Sequence, residues 1–231
     1  MKYILNSLFF SFIVSVSFSQ SAPDDSNDQH GSINDLKITA IRIPSLQEVG
    51  GSPFMTPDYK IGVVQVDNNT EVNNVPMKFN IFNNALMVQK DGFEYKLESF
   101  KLASYDITEN DGSVKHFMFG QGYPEVDKNN ARTVYQVLSV GPKAHLLKLL
   151  SQKVEDAATL GDYSRREIVT TEQFYIYVPG GEIKKIKPGK KDILAALPAY
   201  SSKIDEIAGA NNLKLKSESD LTVLFEELNK P

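Results

Sequence analysis

The sequence predicts an α+β fold: a mainly antiparallel β-sheet of the meander or sandwich type, followed by short C-terminal helices. Short runs of alternating apolar and polar residues, typical of half-buried strands, fill residues 35–187. Turn-forming dipeptides separate many of these runs, and strands joined by tight turns pair antiparallel. Over residues 188–231 the apolar spacing becomes that of an α-helix. Because no strand–helix–strand rhythm appears, a parallel doubly wound sheet is disfavoured.

Residues 1–19 have the layout of a secretory signal peptide. One lysine supplies the positive charge, residues 8–18 are apolar, and Ser17 and Ser19 are small residues at the positions that a signal peptidase reads. The apolar stretch is about half of the roughly 20 residues that a membrane-spanning helix needs. We therefore expect cleavage before Gln20 and a mature chain with no transmembrane segment, in the periplasm, associated with the outer membrane, or extracellular.

Residues 20–34 predict a flexible linker. Apart from one proline, only Ala22 and Ile33 are apolar in this segment. So few apolar side chains cannot offset the entropy lost when the segment becomes ordered. Residues 35–231 are then expected to form a single domain, β-rich over 35–187 and helical over 188–231.

The alternating runs place the predicted strands in order. They lie at residues 36–43, 61–66, 75–82, 85–89, 93–98, 100–103, 114–119, 133–140 and 173–178. Asp91-Gly92 and Asp111-Gly112 tolerate the positive φ of tight hairpin turns, and Asn83-Asn84 is a weaker signal of the same kind. Residues 144–150 fit either a strand or a helical turn, and the polar residues 155–171 predict a long loop.

Three helical segments are predicted near the C-terminus. The last carries four apolar residues spaced i, i+3, i+4 and i+7, which are Leu221, Leu224, Phe225 and Leu228. Ser217 with Asp220 resembles a capping box at its start. An earlier helix is expected at about residues 202–208, ended by Gly209, and a shorter turn at about residues 192–197.

Composition excludes several classes of function. The chain contains no cysteine, which removes disulfides, thiolate nucleophiles and zinc sites built on sulfur. Its formal net charge is −4, whereas nucleic-acid-binding proteins carry a basic field over much of their surface. We therefore expect a chain held together by packing alone, with no nucleic-acid partner.

The sequence VPGGEIKKIKPGKK at residues 178–191 raises the question of phosphate binding. A nucleotide-hydrolase phosphate loop needs GxxxxGK[ST], and both the glycine spacing and the hydroxyl residue are absent here. A hairpin with an edge strand at residues 182–187 fits better, since lysines discourage edge-to-edge pairing. An anion or lipid-headgroup contact is the alternative, through Lys184, Lys185, Lys187, Lys190 and Lys191.

No catalytic, cofactor-binding or metal-binding residue can be assigned from the sequence. The metalloprotease motif HExxH and the nucleophile-elbow motif GxSxG are both absent, and His116 and His145 are interpreted as core or surface histidines. Residues 106–112 fail the spacing of a calcium loop and predict a hairpin turn. Tyr175 and Tyr177 share one strand face and either contact a partner or cover the sheet beneath a docked helix.

One resemblance spans most of the predicted mature chain. The segments GSPF (51–54), VPMKFNIFNNALMVQKDG (75–92), VYQVLSVG (134–141), FYIYV (174–178) and KKDILAALP (190–198) resemble an uncharacterised family of exported proteins of the Bacteroidota. This resemblance implies export from a two-membraned bacterium. It implies no activity, cofactor or catalytic residue.

The leading functional hypothesis is an exported, non-enzymatic binding or adaptor module of the bacterial cell envelope, an accessory part of an envelope assembly whose partner is another envelope protein. The first alternative is an envelope hydrolase whose acids, such as Asp106 and Glu125, converge from separated strands. The second is a peripheral binder of anionic lipid through residues 184–191. No cofactor is expected, and the sequence predicts no oligomeric state.

Overall fold

The computed structural model describes residues 29–41, 49–156 and 166–231. The predicted signal peptide and residues 20–28 of the predicted linker lie outside the described residues. The predicted α+β class is confirmed, because a large antiparallel sheet precedes a few short C-terminal helices. No helix among the described residues is long and apolar enough to cross a membrane.

The described residues contain these strands and helices. The strands are β1 (Gln29–Gly31), β2 (Ile38–Ala40), β3 (Val49–Gly50), β4 (Lys60–Gln65), β5 (Thr70–Asn80), β6 (Ala85–Lys90), β7 (Phe93–Leu97), β8 (Leu102–Thr108), β9 (Val114–Gly120), β10 (Tyr135–Ser139), β11 (His145–Asp156), β12 (Arg166–Tyr177) and β13 (Ile183–Ile186). The α-helices are α1 (Lys190–Ala196), α2 (Ser201–Ala210) and α3 (Glu218–Asn229).

The described strands form one sheet in the order β13-β12-β11-β10-β9-β8-β4-β5-β6-β7-β2. Neighbours along this path pair antiparallel, while β1 pairs β5 and β3 pairs β12 in parallel. The predicted turn Asp91-Gly92 joins β6 to β7 with φ of 52° and 82°. Both values are positive, as a two-residue hairpin turn of this kind requires.

The half of the sheet from β9 to β2 curls over itself. Phe79 of β5 and Phe119 of β9 have ring centroids 4.8 Å apart, although β4 and β8 lie between their strands. In a flat sheet with about 4.8 Å between neighbours, these strands would be about 14 Å apart. The inward-facing side chains of this half therefore form a closed hydrophobic cluster of their own.

The two faces of the β10–β13 end are covered differently. The helices pack on one face, against a cluster that contains Phe174, Ile176 and Ile186. The other face carries Tyr175 and Ile183 in a third cluster. Ile183 and Ile186 thus lie on opposite faces of β13, which is the edge strand that the lysine-rich sequence predicted.

Two sequence-based predictions are corrected by strand pairing. Residues 29–34 are not a flexible linker, because β1 pairs with Thr70–Val72 and Ile33 packs on the first cluster. The predicted loop at 155–171 is wrong for residues 155–156 and 166–171, which extend β11 and β12 in an unbroken register. Both segments are ordered by backbone pairing, which apolar content does not reveal. Residues 157–165 lie outside the described residues.

The helix predictions are confirmed with changes at their ends. The four apolar residues of the predicted stripe are all buried in α3. The Ser217 hydroxyl accepts a hydrogen bond from Asp220 N at 3.1 Å. The Asp220 carboxylate, however, accepts from Lys214 N and Leu215 N at 2.9 and 2.8 Å rather than closing a capping box. Gly209 does not end the earlier helix, since α2 continues to Ala210.

Candidate functional site

A cleft of about 570 Å³ lies on the sheet face opposite the helices. We call it the tyrosine cleft, after the adjoining rings of Tyr123, His145 and Tyr177. Its lining residues come from separate parts of the chain: Val66, Ser99, Phe100, Lys101, Leu102, Gln121, Gly122, Tyr123, Val140, His145, Tyr177 and Pro179.

The three rings contact one another edge to face. The centroid distances are 5.8 Å for Tyr123–His145, 5.3 Å for Tyr123–Tyr177 and 5.3 Å for His145–Tyr177, with interplanar angles of 79–86°. A second layer continues the array, because Tyr123 meets Tyr135 at 5.6 Å and Tyr135 meets Tyr175 at 5.5 Å. Each such contact adds about 0.5–1.5 kcal/mol beyond area burial, so the cleft has a stiff aromatic wall.

A hydrogen bond between two neutral groups joins Tyr123 to His145. The Tyr123 hydroxyl lies 3.2 Å from His145 Nδ1. Burial lowers the pKa of His145, and the nearby Lys101 ammonium lowers it further. Burial, with Tyr177 and Tyr135 nearby, raises the pKa of Tyr123. At neutral pH both groups are therefore uncharged and can donate or accept a hydrogen bond.

Short backbone hydrogen bonds fix the segments around the cleft. Lys101 N donates to Gln65 O at 2.8 Å, and Gly122 N donates to Ala131 O at 2.9 Å. Gly122 has a φ of 84°, which favours glycine at this turn. Gln121 Nε2 donates to Arg132 O at 2.9 Å. The polar side chains of the cleft are thus set on constrained loops.

Helix α3 holds the loop between β10 and β11, which contributes Val140 to the cleft. Asn229 Oδ1 accepts from Lys143 N at 3.1 Å and from Ala144 N at 3.2 Å. Its Nδ2 donates to Ala144 O at 2.8 Å and to Ser139 Oγ at 3.4 Å. One asparagine side chain therefore pairs with backbone N–H and C=O groups of the loop, as a neighbouring strand would.

The two predicted tyrosines lie on one face, but only one lines the cleft. Tyr177 lines it, and its hydroxyl accepts a hydrogen bond from Gly180 N at 3.1 Å. Tyr175 is 2% exposed, and its hydroxyl accepts from Asn129 Nδ2 at 3.0 Å. The expected helix above them is wrong, because the helices dock on the other face and the side chain of Asn129, in the segment before β10, reaches the Tyr175 hydroxyl instead.

The structure does not gather the five predicted lysines into one anion site. All are exposed, and Lys184 and Lys185 alternate to opposite faces of β13. Lys185 lies 3.7 Å from an Asp127 carboxylate oxygen, and Lys190 lies 2.9 Å from one of Asp205. Lys187 and Lys191 lie at the start of the helical region, where Lys187 donates its backbone N–H to Asp192 at 2.9 Å.

A second cavity of about 500 Å³ lies between α3 and strands β9 and β10. His116 lines it and is paired through Nδ1 with Asp106 at 2.6 Å, both side chains being more than half exposed. The hydroxyls of the lining are engaged, since Thr222 donates to Glu218 O at 3.0 Å and Ser139 accepts from Asn229. Asp106 pairs with this histidine and makes no contact with Glu125 among the described residues.

Sequence reasoning missed most of the tyrosine cleft. No sequence motif marks Tyr123 or Lys101, and the sequence alone indicates a core or surface position for His145. They come from segments that are distant in sequence, and no fixed spacing links them. The alternation that put Tyr177 on one strand face was the available signal. Among the described residues, no group of three or more His, Asp or Glu could hold a metal ion.

No protein-family model, curated protein or solved structure matches the chain. The resemblance to exported Bacteroidota proteins therefore stays a prediction. The candidate site rests on the geometry of the cleft alone.

Proposed function

We propose that the protein is an exported, non-enzymatic binding module of the bacterial cell envelope, and that its tyrosine cleft binds a small, largely apolar group. Export is supported by the signal-peptide layout of residues 1–19 and by the resemblance to exported proteins. The cleft is the observation that carries the proposal. Its volume lies within the range of about 300–1,000 Å³ that is typical of ligand pockets.

The lining of the cleft favours binding over catalysis. Most of it is apolar or aromatic, and a few polar groups stand on constrained loops, as in sites that orient a ligand. His145 and Tyr123 are both uncharged at neutral pH, and their hydrogen bond occupies one nitrogen of the imidazole. No carboxylate lines the cleft among the described residues to orient that histidine as a general base.

A small probe is expected to bind this cleft weakly. A ligand of about 12 non-hydrogen atoms gains about 0.3 kcal/mol per atom, or roughly 3.6 kcal/mol in total. This free energy corresponds to a Kd of about 2 mM. The test therefore needs a method that detects millimolar binding.

Saturation-transfer NMR with 4-phenylbutan-1-ol as the probe tests the proposal. We expect saturation transfer to the phenyl protons with the wild-type protein and its loss with Tyr177→Ala, which removes the exposed part of the aromatic wall. Phe93→Ala is the matched control, because Phe93 is 66% exposed and lies outside the cleft. Transfer that is absent from the wild type, or equal in the wild type and Tyr177→Ala, would contradict the proposal.

The Asp106–His116 pair beside the second cavity favours one alternative, an envelope hydrolase. If this pair activates a nucleophile, p-nitrophenyl acetate should be hydrolysed by the wild type well above the rates of His116→Ala and Asp106→Asn. A binding module predicts equal rates for all three proteins. A difference of tenfold or more would favour the hydrolase.

A further inference from the structure

We infer that the ligand of the tyrosine cleft is an organic anion, with an apolar or aromatic body that ends in a carboxylate, and that Lys101 binds this carboxylate. This inference rests on the proposed function, since it names the ligand class of the same cleft.

The charge of the lining is positive and uncompensated. Among its 12 residues, all of which the structure describes, Lys101 is the one side chain with a formal charge at neutral pH, and none is a carboxylate. A cationic ligand would meet repulsion, and a neutral ligand would gain no charge-assisted hydrogen bond from the exposed ammonium. A carboxylate supplies the charge that the cleft lacks.

Lys101 is available for a ligand. Its Nζ donates one hydrogen bond to Asn68 Oδ1 at 2.6 Å. The amide is neutral, and an ammonium has three N–H donors, so two remain. Nearby acids are engaged elsewhere: Asp67, next to Asn68, accepts from Asn69 N and Thr70 N at 2.8 Å each, and Glu98 pairs with Lys96 at 3.2 Å. Lys101 therefore forms no ion pair among the described residues.

The rest of the lining suits an apolar body beside that carboxylate. Phe100 and Leu102 flank Lys101 in sequence, and Tyr177 and Pro179 also line the cleft. A ligand whose carboxylate meets Lys101 would thus place its body against aromatic and aliphatic carbon. The Tyr123–His145 hydrogen bond adds neutral donor or acceptor capacity at the same site.

His145 gives this assignment a second, independent readout. The charged or titratable groups that face it from the surrounding segments are Lys101, Tyr123 and Tyr177. A bound carboxylate would offset the Lys101 charge and so favour the imidazolium. By linkage, the pKa of His145 rises when the anion binds, and the anion binds more tightly as His145 becomes protonated.

The experiment compares 4-phenylbutyrate with its neutral counterpart 4-phenylbutan-1-ol, using amide chemical shifts to obtain each Kd. In the wild type we expect the acid to bind at least fivefold more tightly than the alcohol at pH 7. Lys101→Gln should abolish this preference, so that the acid and the alcohol bind with the same Kd. Lys191→Gln, which changes an exposed lysine outside the cleft, should keep it.

Two further arms identify the source of the carboxylate and test the linkage. N-acetyl-L-phenylalanine represents the carboxyl terminus of a peptide, whereas 4-phenylbutyrate represents a free acid; the tighter of the two identifies the source. Between pH 7.5 and 5.5, where both acids stay ionised, their affinity should rise about threefold to tenfold. The imidazole signals of His145 should titrate at higher pH when the acid is present.

The outcomes separate this inference from the proposed function. Equal binding of acid and alcohol in the cleft, unaffected by Lys101→Gln, would overturn the anion assignment and leave the binding module in place. An unchanged His145 titration in the presence of bound acid would also overturn it. Binding of neither probe would remove the proposed function as well.

Discussion

The replacement of Asn229 by alanine tests how the terminal helix supports the cleft. The Asn229 side chain makes three hydrogen bonds of 2.8–3.2 Å to the backbone of Lys143 and Ala144, and a longer one of 3.4 Å to Ser139. Alanine removes all four without breaking the helix, because position 229 is the last residue of α3.

The magnitude follows from those bonds. A typical intramolecular hydrogen bond contributes about 0.5–1.5 kcal/mol net, and a buried group left unpaired costs about 1–3 kcal/mol. Removing the three shorter bonds should lower the free energy of unfolding by about 2–3 kcal/mol, because water replaces part of the bonding where Lys143 is near solvent. For a chain of this size that loss lowers Tm by roughly 4–12 °C.

Urea unfolding followed by far-UV circular dichroism measures this loss. Asn211→Ala is the matched control, since Asn211 follows the end of α2 and makes one side-chain hydrogen bond, donating to Ile207 O at 3.0 Å. We expect the control to lose about 1 kcal/mol. A loss below 0.5 kcal/mol for Asn229→Ala, or one no larger than that of Asn211→Ala, would refute the reasoning.

Three further predictions concern close packing, pH and a buried charge. Gly141→Ala should lower Tm in a thermal melt by several degrees, because its new Cβ would lie 2.2 Å from Asn229 Cγ. Folding lowers the pKa of His145 below its usual 6.5, so protonation favours the unfolded chain and stability should fall as the pH drops through 6.5. The fall in the urea midpoint between pH 7 and pH 5 should be smaller for His145→Gln than for the wild type. Glu94→Gln should lose about 1–2 kcal/mol in urea unfolding, because it leaves the buried Lys78 ammonium without the counter-charge that now lies 3.0 Å away. Lys78→Met should lose less than 1 kcal/mol, because it removes the buried charge itself. Equal losses for the last two variants would contradict this account.

The sequence was most informative where one face of an element is buried. In α3, four apolar residues at helical spacing are all buried, and the helix begins after Ser217 as predicted. In β12, Tyr175 and Tyr177 lie on the face opposite Phe174, as the alternation predicted. In both elements a single periodicity reflects a single buried face.

The sequence was ambiguous where both faces are buried. In β11, Leu146 belongs to the helix-covered cluster and Leu147 to the opposite one. Apolar residues on both faces give a continuous run, which cannot be distinguished from a buried helical turn by periodicity. Lys148 lies within this run because its ammonium reaches Glu218 at the start of α3, 2.6 Å away.

The sequence was misleading where backbone pairing orders a polar segment. Residues 166–171 carry few apolar side chains, yet each pairs with its counterpart in β11. The tyrosine cleft could not be predicted from the sequence for a different reason: Lys101, Tyr123 and His145 meet because the sheet brings separate segments of the chain together. No spacing along the sequence predicts that these three residues lie close together.

The most direct test of the central claim, that the tyrosine cleft is the ligand site, is to locate bound 4-phenylbutyrate by intermolecular nuclear Overhauser effects. The account predicts contacts from the phenyl protons to the rings of Tyr177 and His145, and from the methylene next to the carboxylate to the side chain of Lys101. Contacts confined to the second cavity beside His116, or to no defined surface, would contradict it.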